Sequence, residues 1–185
     1  GVDTRVLEQH ARQEFPKKLQ VMFLSRLAPE KGLVELIAAM ARLEPRVPLV
    51  VCGPGDSGPY AEIAERAKVP VTFLEPDVAE KVRLLQESAI LVHPSFYEGW
   101  GLPPLEALYL GTPVVANDTP HLRWTLQENA YYASSLDGLA GTILDVLENY
   151  EEAQAKAQQA RKRIGDALTM HHAALRLWSF LHPAH

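Results

Sequence analysis

Between Leu19 and Ser25 the chain reads LQVMFLS, an apolar run of strand length. A polar turn, RLAPEKG, follows, and then LVELIAAMARL, whose apolar residues recur at helical spacing. The same succession repeats: VPLVVCG leads into PGDSG and PYAEIAERAK, VPVTFLE into a Pro-Asp turn and VAEKVRLLQESA, and ILVHPS into FYEGWGLPPLE. Strand–helix units in a row predict an α/β fold, a Rossmann-like parallel sheet with helices on both faces. Continuously apolar strands such as LVVC and ILVH fit burial on both sides. TPVVAND reads as a fifth strand after LEALYLG, and NAYYA as a short sixth before the helical DGLAGTILDVLENY. The last third changes character. EEAQAKAQQARKRIGDA predicts a helix with a large solvated face, and HHAALRLWSFLH an amphipathic helix packing Trp178, Phe180 and Leu181 on a neighbour. The reading is of one domain over residues 19–185, with residues 1–18 as an interdomain linker or lead-in.

Composition narrows the function classes. The chain has 185 residues, enough to bury a substantial core, and its 47% hydrophobic and 22% charged residues are those of an ordinary soluble protein. No apolar run approaches the roughly 20 residues that span a bilayer, and the single cysteine fits the reducing cytoplasm, which is the expected location. A formal net charge of −5 leaves no electrostatic footprint for nucleic acid. The single cysteine, Cys52, lies inside the strand-like LVVCG, so neither a disulfide framework nor a thiolate metal cluster is available. Seven histidines do not supply metal-ligand spacing: His171 and His172 are adjacent, and His182 and His185 sit near the end. No metal and no cofactor is expected. His93, at the end of the fourth strand, is the histidine nearest the candidate chemistry.

In open parallel sheets ligands sit outside the carboxyl ends of the strands, so the loops there carry the candidates. After the first strand come Arg26 and Lys31, with Gly32 closing the loop. Two cations beside a helix start suit a phosphate, although both also suit a solvated surface. After the second comes GPGDSG, Gly53 to Gly58, a literal G-x-G-x-x-G with Glu75 about 20 residues further on, the dinucleotide fingerprint. Pro54 and Pro59 argue against it by restricting the turn and the helix start, and it sits in the second unit rather than the first. After the fourth strand come Glu98 and Glu106, flanking Gly99, Trp100, Gly101, Leu102 and Pro103. Ionised carboxylates are acceptors only, and such groups beside a glycine turn and helix start suit the hydroxyls of a sugar or ribose.

The segments SRLAPEKG, CGPGDSGPY and HPSFYEGWGLPPLEALYLGTPVVAND resemble the nucleotide-sugar-binding C-terminal domain of the group 1 (family 4) retaining glycosyltransferases, enzymes of two Rossmann-like domains in the GT-B arrangement. The most specific element is Glu-x7-Glu, here Glu98 and Glu106, and GVDT at Gly1–Thr4 is similar to the family's lead from its N-terminal domain. The resemblance implies that Arg26 and Lys31 bind the donor diphosphate and, with Glu98, carry catalysis. Glu98 would accept hydroxyls of the transferred sugar, Glu106 would hold the ribose, and the amides of Gly99, Trp100, Gly101 and Leu102 would face sugar and phosphate. Gly53 joins the donor-binding set, and the turn from Glu75 to Val78 lies near the base. The implied reaction is hexose transfer with retention from a nucleotide-diphosphate-sugar to a glycan or lipid-linked acceptor, the leaving diphosphate being stabilised by cations. Ser25 and Trp124 depart from the family, which usually has glycine at the first position and often an acid at the second. The N-terminal acceptor domain is expected to lie outside this chain, and any peripheral membrane association would run through it. Two other classes remain open. A glycosidase would need one raised carboxyl pKa, which the helix start disfavours. A non-enzymatic nucleotide-sugar-binding module needs only the donor site.

Overall fold

A computed structural model describes residues 1–12 and 16–181. Six parallel strands form one sheet: β1 (Lys18–Leu24), β2 (Leu49–Cys52), β3 (Val71–Leu74), β4 (Ser88–His93), β5 (Val114–Asn117) and β6 (Tyr131–Ala133), in the spatial order β3-β2-β1-β4-β5-β6. The predicted Rossmann-like sheet is therefore present, with all six strands of the sequence reading. The pleat sends alternate side chains of a strand to opposite faces. Val21 and Phe23 of β1 enter one core with α2 (Leu33–Met40), α3 (Gly58–Arg66) and α7 (Leu136–Glu148). Met22 and Leu24 enter the other, with α4 (Val78–Glu87), α5 (Leu102–Tyr109) and α8 (Tyr150–Ala167). On α8 the buried residues are Ala153, Ala157, Ala160 and Ile164; the last three share the second core with α5, Ala153 lies in the first, and the remaining faces are solvated.

Residues 1–18 carry a helix of their own, α1 (Thr4–His10), capped by Asp3, whose carboxylate accepts the Val6 amide at 3.3 Å. Val2 and Leu7 are buried in the second core. Val2 also exchanges backbone hydrogen bonds with Leu168 and Met170, tying the start of the chain to the beginning of α9 (Met170–Leu181). One further helix, α6 (Pro120–Leu126), falls where the apolar pattern predicts none; Thr119 caps it and Pro120 supplies its first position. Trp178 on α9 is exposed, whereas His182, His185 and the side chains of Phe180 and Leu181 lie outside the described residues. Among the described residues no helix is long and apolar enough to cross a membrane.

Candidate functional site

Strand order decides where a ligand can sit. β1 and β4 are neighbours, and the chain runs outward from them in both directions, so the switch point, where such sheets place their ligand crevice, lies at the carboxyl ends of these two strands. These are the loops that hold Lys31 and Glu98. The first turns through a short 3-10 segment, Pro29–Lys31, and ends at Gly32, whose φ of 73° is left-handed. A Cβ on Gly32 would lie 2.4 Å from the Pro94 carbonyl oxygen, so glycine is what allows the two loops to touch. The Phe96 amide then donates to the Glu30 carbonyl at 2.9 Å. On its other side the first loop is tied to the loop after β2. The Leu27 amide donates to the Pro54 carbonyl at 2.8 Å, and a Cβ on Gly53 would fall 2.0 Å from the Ser25 carbonyl oxygen.

Within this frame Lys31 and Glu98 meet. The Lys31 ammonium donates to Glu98 Oε1 at 2.7 Å and to the Tyr97 carbonyl at 3.0 Å, and the two side chains are only 9% and 11% exposed. His93, the last residue of β4 and fully buried, brings Nε2 to 2.9 Å from the same Oε1. Burial would raise the Glu98 carboxyl, but hydrogen bonds from His93 and Lys31 outweigh it and hold the group at about 2, well below the usual carboxylate range. Glu98 is thus an ionised acceptor and not a proton donor, so it does not supply the protonated acid that a glycosidase pair requires.

The remaining predicted residues are distributed around this pair. Arg26, exposed, forms an ion pair with Glu30 one turn along its own loop rather than joining Lys31. Glu106 lies on α5 and is held at 2.9 Å by Lys81 from α4. Lys81 is a partner that periodicity could not single out, since it looks like any polar position on a helix. Gly99 is exposed with open space about it, and Gly101 caps α5. Leu102 is the first residue of α5 and partly exposed. Trp100 is exposed and meets Trp124 of α6 with ring centroids 6.4 Å apart; both line a pocket of about 210 Å³ together with Leu105, Thr125, Arg163 and Leu168. Glu75 and Val78 are exposed on either side of the Asp77 cap of α4, after β3 and so two strands from β1. The GPGDSG run is accounted for by loop packing. Gly53 and Gly55 approach Ser25 and Leu27, and the run follows β2 instead of the β1 strand at the crevice. Among the described residues no group of three or more His, Cys, Asp or Glu side chains is placed to hold a metal ion.

A six-stranded parallel sheet in this order, with helices on both faces, is the Rossmann-like fold found in GT-B glycosyltransferases. Residues 6–163 match the family model for group 1 glycosyl transferases, and the chain belongs to that family. It is 30% identical over 175 residues to glycogen synthase of Mycobacterium tuberculosis, covering 89% of this chain and 42% of that protein. The chain thus spans less than half the length of this relative. Among solved structures, Anabaena HepE in complex with UDP and glucose superposes with a TM-score of 0.81 at 22% identity, over 91% of this chain and 49% of that one. The C-terminal domain of a group 1 glycosyl transferase family protein from Francisella tularensis gives 0.73 at 22% identity, over 92% of this chain and 100% of that one. At these identities the structural likeness establishes the fold.

Proposed function

We propose that this chain is the donor-binding, C-terminal domain of a retaining, family 4 glycosyltransferase that moves a hexose from a nucleotide-diphosphate-sugar to a glycan or lipid-linked acceptor. The observation that carries this reading is the Lys31–Glu98 pair, a cation for phosphate beside an ionised acceptor for hydroxyls, set at the sheet's switch point. Membership of the family and the likeness to a solved complex containing UDP and glucose support it.

In the proposed reaction the bond between the sugar C1 and the diphosphate oxygen breaks, a bond from C1 to an acceptor hydroxyl oxygen forms on the same face, and the proton of that hydroxyl passes to the departing diphosphate. Negative charge grows on the departing diphosphate. Lys31 and Arg26 stabilise that charge, Arg26 by exchanging Glu30 for phosphate, and the amides from Gly99 to Leu102 add donors at the start of α5. Glu98 accepts from sugar hydroxyls and Glu106 from the ribose, the latter steadied by Lys81. Gly53 lets the loop after β2 close against this site, and Glu75 and Val78 lie toward the base. No metal or cofactor has a part in this scheme. The acceptor-binding part of the enzyme is proposed to lie outside these 185 residues, in keeping with the share of its relatives that the chain spans.

Isothermal titration of the chain with UDP, GDP and ADP, each with and without an attached hexose, tests the reading. Diphosphate-dependent binding that is lost in Lys31→Ala and Glu106→Ala is the expected result, and a chain that binds none of them sinks it. Retention is tested with the acceptor-binding part restored, by reading the anomeric configuration of the first-formed product by NMR.

A further inference from the structure

Both hydrogen bonds to the Glu98 carboxylate fall on one oxygen. Lys31 Nζ and His93 Nε2 reach Oε1 at 2.7 Å and 2.9 Å, while the Ser95 hydroxyl, also close by, gives its hydrogen to the Tyr97 carbonyl at 2.9 Å. A carboxylate oxygen cannot donate, so Nε2 must carry the hydrogen in its contact with Oε1. The other ring nitrogen, Nδ1, is buried and has no hydrogen-bond partner among the described residues. The imidazole therefore makes one polar contact, and that contact is Glu98. Its anchorage is firm. His93 is 1% exposed at the end of an interior strand, in register with Ala116 of β5, whereas Glu98 stands in a loop between an exposed Tyr97 and an exposed Gly99.

We infer that His93 is a positioning residue for Glu98: together with Lys31 it claims Oε1, fixes the carboxylate in one orientation, and leaves Oε2 as the oxygen that receives a hydroxyl of the bound sugar. The sugar part of this inference rests on the donor-site reading above; the orientation of the carboxylate does not. A loop carboxylate held by Lys31 alone keeps its charge but is free to present either oxygen, because a lysine ammonium is a point charge on a flexible stem, while an imidazole on a buried strand end dictates one direction. A second consequence follows from the idle Nδ1. Replacing the ring by an apolar side chain removes an unsatisfied polar atom from the core along with the bond to Glu98, so the fold should tolerate the change.

The test uses the whole chain in three forms, wild type, His93→Leu and His93→Gln, the glutamine placing an amide donor at about the reach of Nε2. Two quantities are measured: the titration of the Glu98 carboxyl by carbon-13 NMR, and the affinities for UDP and UDP-glucose by calorimetry. In His93→Leu the Glu98 titration should move up toward ordinary carboxylates, and UDP-glucose should bind about tenfold more weakly while UDP is unchanged, the loss expected for one hydrogen bond to a charged group. His93→Gln should restore both. An unmoved Glu98 titration in His93→Leu overturns the inference, as does an equal loss of UDP and UDP-glucose affinity, which marks a general disturbance of the loop. A wild-type chain that binds neither probe overturns the sugar part and the donor reading with it, and the NMR titration then decides on the positioning alone.

Discussion

The Lys31 ammonium and the Glu98 carboxylate meet at 2.7 Å across the seam between the loops after β1 and β4, and each is nearly buried there. Removing one partner of such a pair leaves the other charge without compensation in a poorly solvated place, which costs more than the pair itself contributes. Lys31→Met and Glu98→Gln should each destabilise the chain by about 2 kcal/mol, and the double variant should cost clearly less than the sum. Guanidinium unfolding of the four proteins measures the coupling; strictly additive losses would show that the two charges do not feel each other.

The same carboxylate gives stability a defined pH dependence. Burial acts to raise Glu98, and His93 and Lys31 more than offset it, so the folded value is about 2 against an ordinary 4.5. The folded chain therefore holds fewer protons on this group than the unfolded chain does between those values. Its contribution is complete above about pH 4.5 and is lost as pH falls toward 2, an effect of about 2 kcal/mol once residual solvent screening is allowed for. The difference in unfolding free energy between wild type and Glu98→Gln isolates this one group, and should shrink through that window and stay flat above it. A difference that instead grows on acidification would mean that the carboxyl is raised.

Three glycines near the crevice should behave differently under one substitution. Gly32 and Gly53 have φ of 73° and 142°, and a methyl on either would overlap a backbone carbonyl, of Pro94 in one case and Ser25 in the other. Alanine at either position should cost about 2 kcal/mol or more, since neither neighbour is a side chain that can turn away. Gly99 has nothing within 4 Å of the added atom, and Gly99→Ala should stay within about 0.5 kcal/mol of wild type. Thermal unfolding orders the three variants. If Gly99→Ala proves as damaging as the others, the loop around Glu98 is packed in a way this structure does not contain.

The strands and most helices were legible because burial on both faces writes continuous apolar runs and helices write a period of about 3.6 residues. The site was legible only in pieces. Lys31 and Glu98 each stood out at a strand end, yet they are 67 residues apart in sequence, and nothing local says that β1 and β4 are adjacent. The lateral order of strands comes from long-range packing, which periodicity does not encode. Spacing groups Arg26 with Lys31, but its own loop supplies Glu30 four residues later, and the nearer partner wins. Helix α6 had a readable start, Thr119 before Pro120, that its weak apolar pattern obscured. The GPGDSG glycines matched a motif whose chemistry belongs at another loop; their cause is close backbone approach, which a motif alone cannot distinguish from ligand binding.

Cys52 provides a reporter for all of these changes. It ends β2, pairs with Leu24 and Leu74 in the middle of the sheet's first half, and is completely buried. Burial and then the charge of Glu80 push its thiol up to about 12, so near neutral pH almost none is present as thiolate, the reactive form. Two barriers, access and ionisation, are lifted together when the chain opens. Ellman's reagent should therefore leave the native protein unmodified on the time of mixing and react with one thiol per chain in concentrated guanidinium. Where opening and closing are fast against labelling, the native rate follows the open population. Gly53→Ala, next to the thiol, should then label about thirtyfold faster if it costs 2 kcal/mol as argued, whereas Gly99→Ala should label at the wild-type rate. Rapid, stoichiometric modification of the native wild type would show that the end of β2 opens independently of the sheet, and the loop that Gly53 ties to Ser25 would then be a local hinge rather than part of the rigid frame of the site.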